Sequence, residues 1–244
     1  MDQIIKSNDD VMVMLDQLMR EEEAEWWNEF YATRKEKIPF YHELPDESLV
    51  EFIGTYISGN ATSELELPKA GGCREKALDI GCGIGRNTMY LANQGYNSEG
   101  IDISSEAIMV AVEKSQRGEY NNIKFSVESI FDYDGAGYSI INDSGCLHHM
   151  KPHRRYQYLE AIHGKLVEGG FFTLSCFSDE IGEMTDYDAY REKSLKGGMG
   201  YNEGKLRAVL EPYFEILEMR KMKEQEKTEY FSMSCLWAVV MKKK

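Results

Sequence analysis

Apolar residues recur along this chain with two alternating periods. Between 9 and 33, Val11, Leu15, Leu18, Met19, Trp26, Trp27, Phe30 and Tyr31 fall at three- and four-residue spacings around Glu21–Glu23. That pattern predicts one amphipathic helix, capped by Asn8, Asp9 or Asp10. Ile38-Pro39-Phe40 breaks it, and 46–52 after Pro45 predicts a second, short helix. A polar stretch with Gly and Pro at 60–72 reads as a connector. Strand patterns at 77–80, 97–102, 123–127, 138–142 and 171–177 then alternate with helical patterns at 86–94, 104–116 and 152–167. Such alternation predicts a parallel sheet with right-handed crossovers. Segment 178–200 is polar, glycine-bearing and aperiodic, which predicts a lid at the carboxyl edge of the sheet. A helix at 202–210 and two final strands at 214–222 and 231–241 predict an antiparallel ending.

The expected fold is a doubly wound α/β, mostly parallel seven-stranded sheet with a terminal antiparallel hairpin. The expected division is an N-terminal helical cap over 1–70 and a sheet domain over 71–244. With 244 residues, 42% of them hydrophobic, the chain supports a sizeable core. A formal net charge of −14 repels phosphate backbones and argues against a nucleic-acid substrate. The mixed-charge run 220–227 is the one modest basic exception, and it reads as a solvated strand or loop. Cys73, Cys82, Cys146, Cys176 and Cys235 are dispersed and form no CxxC pair, which disfavours a disulfide framework or zinc site. No stretch is long and apolar enough to span a bilayer, and no signal-peptide pattern opens the chain, so a cytoplasmic location is expected.

Chemistry concentrates where the first predicted strand ends. Asp79-Ile80-Gly81-Cys82-Gly83-Ile84-Gly85 sets three glycines at alternate positions, so the backbone turns sharply and approaches a ligand closely. Asp102 closes the next strand, where its carboxylate suits ribose hydroxyls. The phosphate-loop Gly-Lys-Ser/Thr is absent. A dinucleotide site wants its third glycine one residue later than Gly85 and an anionic pyrophosphate beside the helix. Asp79, two residues before the first glycine, answers a cationic ligand instead. S-adenosylmethionine, with a sulfonium, an ammonium and no phosphate, fits that pattern. Two rival readings stand beside it: an NAD-dependent oxidoreductase, and a non-catalytic domain that senses S-adenosylmethionine or serves as a scaffold.

Asp79-x-Gly81-x-Gly83-x-Gly85 resembles motif I of the class I S-adenosylmethionine-dependent methyltransferases, whose fold is Rossmann-like. Asp102 matches the acidic residue that holds both ribose hydroxyls in that family. Val167-Glu168-Gly169-Gly170-Phe171 is similar to the family's Leu-x-Pro-Gly-Gly turn, with Glu168 in place of proline. Asp143 to His149 stands at the end of the fourth strand, where the family faces methionine and substrate. The resemblance runs from 77 to 177. It departs after the third strand, where Ser129 occupies the position of an adenine-binding Asp; Ser129, the adjacent backbone or Glu128 then makes that contact, with Ile130 flanking it. Trp27-x-x-x-Tyr31, Ile38-Pro39-Phe40, Pro45 and Leu49 are similar to the N-terminal segment of thiopurine- and tellurite-resistance-type methyltransferases, which covers the cofactor and shapes the acceptor pocket.

The resemblance implies methyl transfer from S-adenosylmethionine to a small-molecule nucleophile at sulfur, oxygen or nitrogen, a thiol or metalloid included. It implies cofactor contacts from the loop residues Asp79, Gly81, Cys82, Gly83 and Gly85, from Asn87 on the following helix, and from Asp102, Ile103, Ser129, Ile130 and Asp143 at strand ends. Trp27 and Tyr31, one helical turn apart, are candidates to face the sulfonium; the alternative is that they pack the helix on the sheet with Trp26 and Phe30. Arg34, a turn further on, is a candidate partner for the methionine carboxylate. His148 and His149 are candidate general bases. A metal site from His148, His149 and His153 is not expected, since no Asp or Glu completes the spacing. Arg154 and Arg155 read as surface residues, and Cys146 as a small buried one.

Overall fold

The structure, a computed structural model, describes residues 4–19, 24–57, 75–224 and 229–244. Seven strands form one sheet: β1 (Lys76–Ile80), β2 (Asn97–Asp102), β3 (Ile123–Val127), β4 (Tyr138–Ser144), β5 (Leu166–Phe177), β6 (Phe214–Lys221) and β7 (Leu236–Lys243). Their spatial order is β3-β2-β1-β4-β5-β7-β6. The first five run parallel, and β7 pairs antiparallel with both β5 and β6. The order therefore reverses between β1 and β4, and ligands of open α/β sheets sit in the crevice at the carboxyl ends of such a pair. Ile80 is paired with Ile101 on one side and Asp143 on the other, so three strand ends converge there.

Side chains alternate across the sheet as strand geometry requires. Leu78 and Ile80 point into the larger core with Tyr158, Leu159 and Ile162 of α6 (Arg155–Lys165) and Leu206 and Leu210 of α8 (Glu203–Leu210). Ala77 faces the other side, with Leu91 of α4 (Arg86–Asn93) and Leu49 and Phe52 of α3 (Glu47–Phe52). On that side, α2 (Ala24–Arg34) packs Tyr31 against Ile84 and against Ala107 of α5 (Ser105–Arg117). Ser104 caps α5, its hydroxyl accepting from the Ala107 N–H at 3.2 Å.

The expected single N-terminal helix is two: α1 (Asn8–Leu18) and α2. Met19 ends α1 with an extended backbone (ψ 113°) and buries its side chain in the larger core. The pull of that burial overrides the continuous periodicity. The glycine pair before β5 lies inside the strand rather than in a turn ahead of it. Register shifts there, Tyr138 pairing with Leu166 but Ile140 with Phe171, and Gly169 takes a left-handed φ of +72°. The last strand starts at Leu236 instead of 231, because Phe231 bridges to Asp46 in the N-terminal segment. The run 220–227 presents no free basic patch among its described residues: Arg220 pairs with Glu47, Glu51 and Glu218, and Lys223 with Glu51. The connector at 60–72 and Cys73 lie outside the described residues.

Segment 178–200 is also not the loose lid its composition predicts. Bridges Ser178–Tyr201 and Glu183–Gly200 fold it back on itself. It contains α7 (Asp186–Glu192), started by a Thr185/Asp188 capping box. Ala189, Leu195 and Met199 are buried in the larger core. They are too far apart in sequence, and too interspersed with glycine, to register as a period.

Phe171 ties the N-terminal elements to the sheet, its ring 5.3 Å from Phe52 and 6.4 Å from Tyr56. Phe171→Ala is expected to lower stability by about 3–5 kcal/mol, read as a reduced urea midpoint at unchanged slope.

Candidate active site

The turn after β1 depends on glycine. Gly81, Gly83 and Gly85 have φ of +60°, +54° and +84°. A Cβ on Gly81 would stand 2.1 Å from Cys146 Sγ, and one on Gly83 would stand 2.7 Å from the Tyr31 hydroxyl. The loop is thus pressed between the exit of β4 and helix α2. Asp102 fixes its outer side: the Gly83 N–H donates to Oδ2 at 2.9 Å and the Ser104 N–H to Oδ1 at 2.8 Å. Burial raises the Asp102 pKa above the ordinary carboxylate range, partly offset by these backbone donors.

Around the loop lies a cavity of about 710 Å³. One half is lined by Gly81 to Ile84, Asp102, Ile103 and residues 128–132. The other is lined by Phe40, Phe177, Phe231, Met233 and Leu236, with Arg86, Asn87, Ser144 and Ser175 among them. Trp27 and Tyr31 lie where the halves meet, with His149 edge-on to Trp27 at 5.0 Å. Charge divides the same way. Lys151 and Arg154 are spent on Asp16 of α1, and Arg86 on buried Asp46. No ion pair joins Asp102, Glu128 or Asp132 to a cation among the described residues. The first half therefore favours a cationic, phosphate-free ligand over a pyrophosphate.

The methyltransferase domain family matches residues 77–170, the stretch holding this loop and the strand ends around it. Residues 77–170 are a class I, S-adenosylmethionine-dependent methyltransferase domain. The chain is 37% identical over 87 residues to an uncharacterized methyltransferase of Schizosaccharomyces pombe, covering 34% of this chain and 59% of that one. It is 26% identical over 154 residues to the 2-heptyl-1-hydroxyquinolin-4(1H)-one methyltransferase of Mycobacteroides abscessus, covering 62% and 64%. The fold is similar to that of TehB from Haemophilus influenzae, with TM-score 0.61 at 17% identity over 89% of this chain and 67% of that one. The chain spans about half the length of the first curated relatives it matches.

Within this methyltransferase domain the structure sorts the expected site residues. Trp27, Tyr31, Gly81, Cys82, Gly83, Asn87, Asp102, Ile103, Ser129 and Ile130 all line the cavity, as do His148 and His149. Gly85 lies just beyond, at the start of α4. Asp79 does not reach the cavity; it sits behind the loop, accepting from Thr88 Oγ1 at 2.7 Å and Asn142 Nδ2 at 2.8 Å. Asp143 is likewise turned away, its oxygens taken by the Cys146 N–H at 2.6 Å, the Leu147 N–H at 3.1 Å and the Tyr158 hydroxyl at 2.7 Å. Arg34 is exposed and lies over the rings of Phe30 and Trp26, outside the cavity. His148 is turned to the backbone at the end of β5. Its Nδ1 accepts the Phe177 N–H at 3.3 Å, which leaves Nε2 as the protonated nitrogen, and burial holds its pKa well below the ordinary histidine value. No residue of 178–200 lines the cavity; coverage comes instead from α1 and α2.

Sequence reasoning missed Asp16 and the Asp46–Arg86–Ser144 cluster. Arg86 Nη1 donates to the Leu44 carbonyl at 3.0 Å and Nη2 to Ser144 Oγ at 2.9 Å, while Ser144 donates to Asp46 Oδ2. The available signal was a charged residue directly after Gly85, at a helix start that packing makes buried.

Asp79 and Asp143 are both pushed by burial to a pKa of about 6. The native state holds these protons more tightly than the unfolded chain. Stability is therefore expected to fall as pH rises from about 4 to about 6, by up to about 3 kcal/mol per group. Denaturant titrations at closely spaced pH values check this; stability rising monotonically across that window contradicts it.

Proposed function

We propose that this chain binds S-adenosylmethionine in the half of the cavity around Asp102 and methylates a small-molecule acceptor held in the aromatic half. The observation that carries the reading is the glycine turn closed by Asp102 beside anions that no cation pairs with among the described residues. Two backbone N–H groups orient the Asp102 carboxylate and leave its remaining lone pairs for ribose hydroxyls. Ser129 and Ile130 border the adenine end, and Trp27 and Tyr31 offer ring faces where a sulfonium would sit. When bound, S-adenosylmethionine supplies a methyl group already activated on sulfur. The protein's task is then alignment and exclusion of water, and α1 and α2 supply the cover.

The acceptor half suits a body that is apolar and aromatic, carrying one ionisable hydroxyl or thiol. Phe40, Phe177 and Phe231 furnish ring contacts, and the buried charges at its floor are paired. The Mycobacteroides relative is named for a substrate of that kind, an aromatic ring bearing an N-hydroxyl and an alkyl chain.

Calorimetry with S-adenosylmethionine, S-adenosylhomocysteine and NAD tests the cofactor assignment; binding of NAD alone would sink it. Asp102→Ala is expected to weaken S-adenosylhomocysteine binding by tenfold or more, since each lost charge-assisted hydrogen bond is worth about 1.5–3 kcal/mol. Unchanged affinity in a folded variant refutes the ribose role.

A further inference from the structure

Methylation of a hydroxyl or thiol releases a proton, and the site must receive it. His148 has no lone pair to offer, as its Nδ1 is already an acceptor within the fold. Ser175, a hydroxyl in the acceptor half, bonds to Ser48 Oγ at 2.8 Å, so its partner is another hydroxyl. Ser144 differs. It ends β4 two residues before Cys146, whose sulfur packs on Gly81, so it stands where the two halves of the cavity meet. Its Oγ accepts from Arg86 Nη2 at 2.9 Å and donates to Asp46 Oδ2. One Oγ lone pair remains for an acceptor's hydrogen. Asp46 is 1% exposed and does not line the cavity, so Ser144 stands between its carboxylate and any bound acceptor.

We propose that Ser144 is a catalytic residue that takes the acceptor's proton while passing its own hydroxyl proton to Asp46. The inference rests on the methyltransferase reading above. A bond forms between the acceptor oxygen or sulfur and the methyl carbon as the carbon–sulfonium bond breaks, its electron pair staying on sulfur. The acceptor's proton moves to Ser144 Oγ, and the Ser144 proton to Asp46 Oδ2, so one neutral carboxylic acid replaces one carboxylate. Asp46 acts through Ser144 and is a positioning and proton-holding residue. Arg86 is a second positioning residue, fixed by the Leu44 carbonyl and by the Phe231 ring 5.1 Å away.

Other groups share the field of Asp46. Arg86 faces it from α4. His42 lies in the preceding loop, held below the ordinary histidine pKa by burial and then by Arg86. Asp79 interacts with it from β1, with burial the main cause of its own raised pKa.

The test measures turnover by the full chain with S-adenosylmethionine and a series of phenols of graded acidity, 4-nitrophenol among them. Ser144→Ala is expected to fall at least tenfold with phenols neutral at the assay pH while still binding S-adenosylhomocysteine, and to recover as pH passes the phenol's own pKa. A merely structural role gives no such recovery. Equal turnover by wild type and Ser144→Ala on a phenol neutral at the assay pH overturns the relay and leaves the methyltransferase reading standing. Failure of the wild type to bind S-adenosylhomocysteine overturns that reading and the relay with it, and failure to bind any phenol overturns the acceptor class and the relay together.

Discussion

The pairing of Arg86 with Asp46 is the constraint on which the site depends. Arg86 is the first residue of α4, immediately after the last glycine of the loop, and it is buried. A buried guanidinium without a partner is costly, and removing one member of such a pair typically costs about 3–5 kcal/mol. Its partners come from two directions: Leu44 and Asp46 from the N-terminal segment, and Ser144 from the end of β4. One planar cation therefore fixes the exit of the glycine turn, the end of a central strand and the path of the chain into α3. Asp46 adds a fourth tie, its backbone N–H donating to Asn87 Oδ1 at 2.9 Å. The N-terminal segment is in this way a wall of the cavity rather than an appendage to it.

A second set of restraints runs outward from the same strands. Asp79 joins β1 to α4 through Thr88 and to β4 through Asn142. Asp102 joins the tip of β2 to the loop and to the start of α5. Asp143 pins the turn after β4 to α6 through Tyr158. Each carboxylate is buried among hydrogen-bond donors instead of cations, so direction is supplied without neutralisation. Only Asp102 of the three turns to the cavity. The other two spend their charge on holding the strand ends at which ligands meet the sheet.

How much of this is legible in the sequence follows from the range of the interactions. The second half of β5 is written as a largely apolar run, and Asp79, the three glycines and Asp102 are written as spacing, because local geometry alone gives those residues meaning. Boundaries set by tertiary packing are not written: Met19 breaks a periodic helix to reach the core, and Leu195 and Met199 anchor a segment whose composition reads as loose. Side-chain direction is less legible still. Asp143 and His148 stand at the expected strand end, yet one faces Tyr158 and the other faces the Phe177 backbone. Arg34 carries the expected charge one turn beyond Tyr31, but on the outer side of α2, while Arg86 of α4 lines the cavity. Its carboxylate partner lies in a segment that the glycine motif says nothing about.

That division separates two kinds of specificity in the site. Residues legible as motif, around Gly81 to Gly85 and Asp102, answer to the part of the ligand that the family shares. Residues illegible as motif, Phe40, Ser144, Phe231 and Met233, come together only through the fold and border the aromatic half of the cavity, with Asp46 behind Ser144. Phe231 illustrates why. Its backbone accepts from the Glu47 N–H at 2.8 Å and donates to the Pro45 carbonyl at 2.8 Å, so the turn before β7 and the start of α3 are held as one edge. A change in either segment moves the aromatic wall and, through Asp46, the floor beneath it. The aromatic wall can then change through the N-terminal segment and the β6–β7 connection while the glycine turn stays as it is, the separation of site from scaffold that lets one fold host different sites.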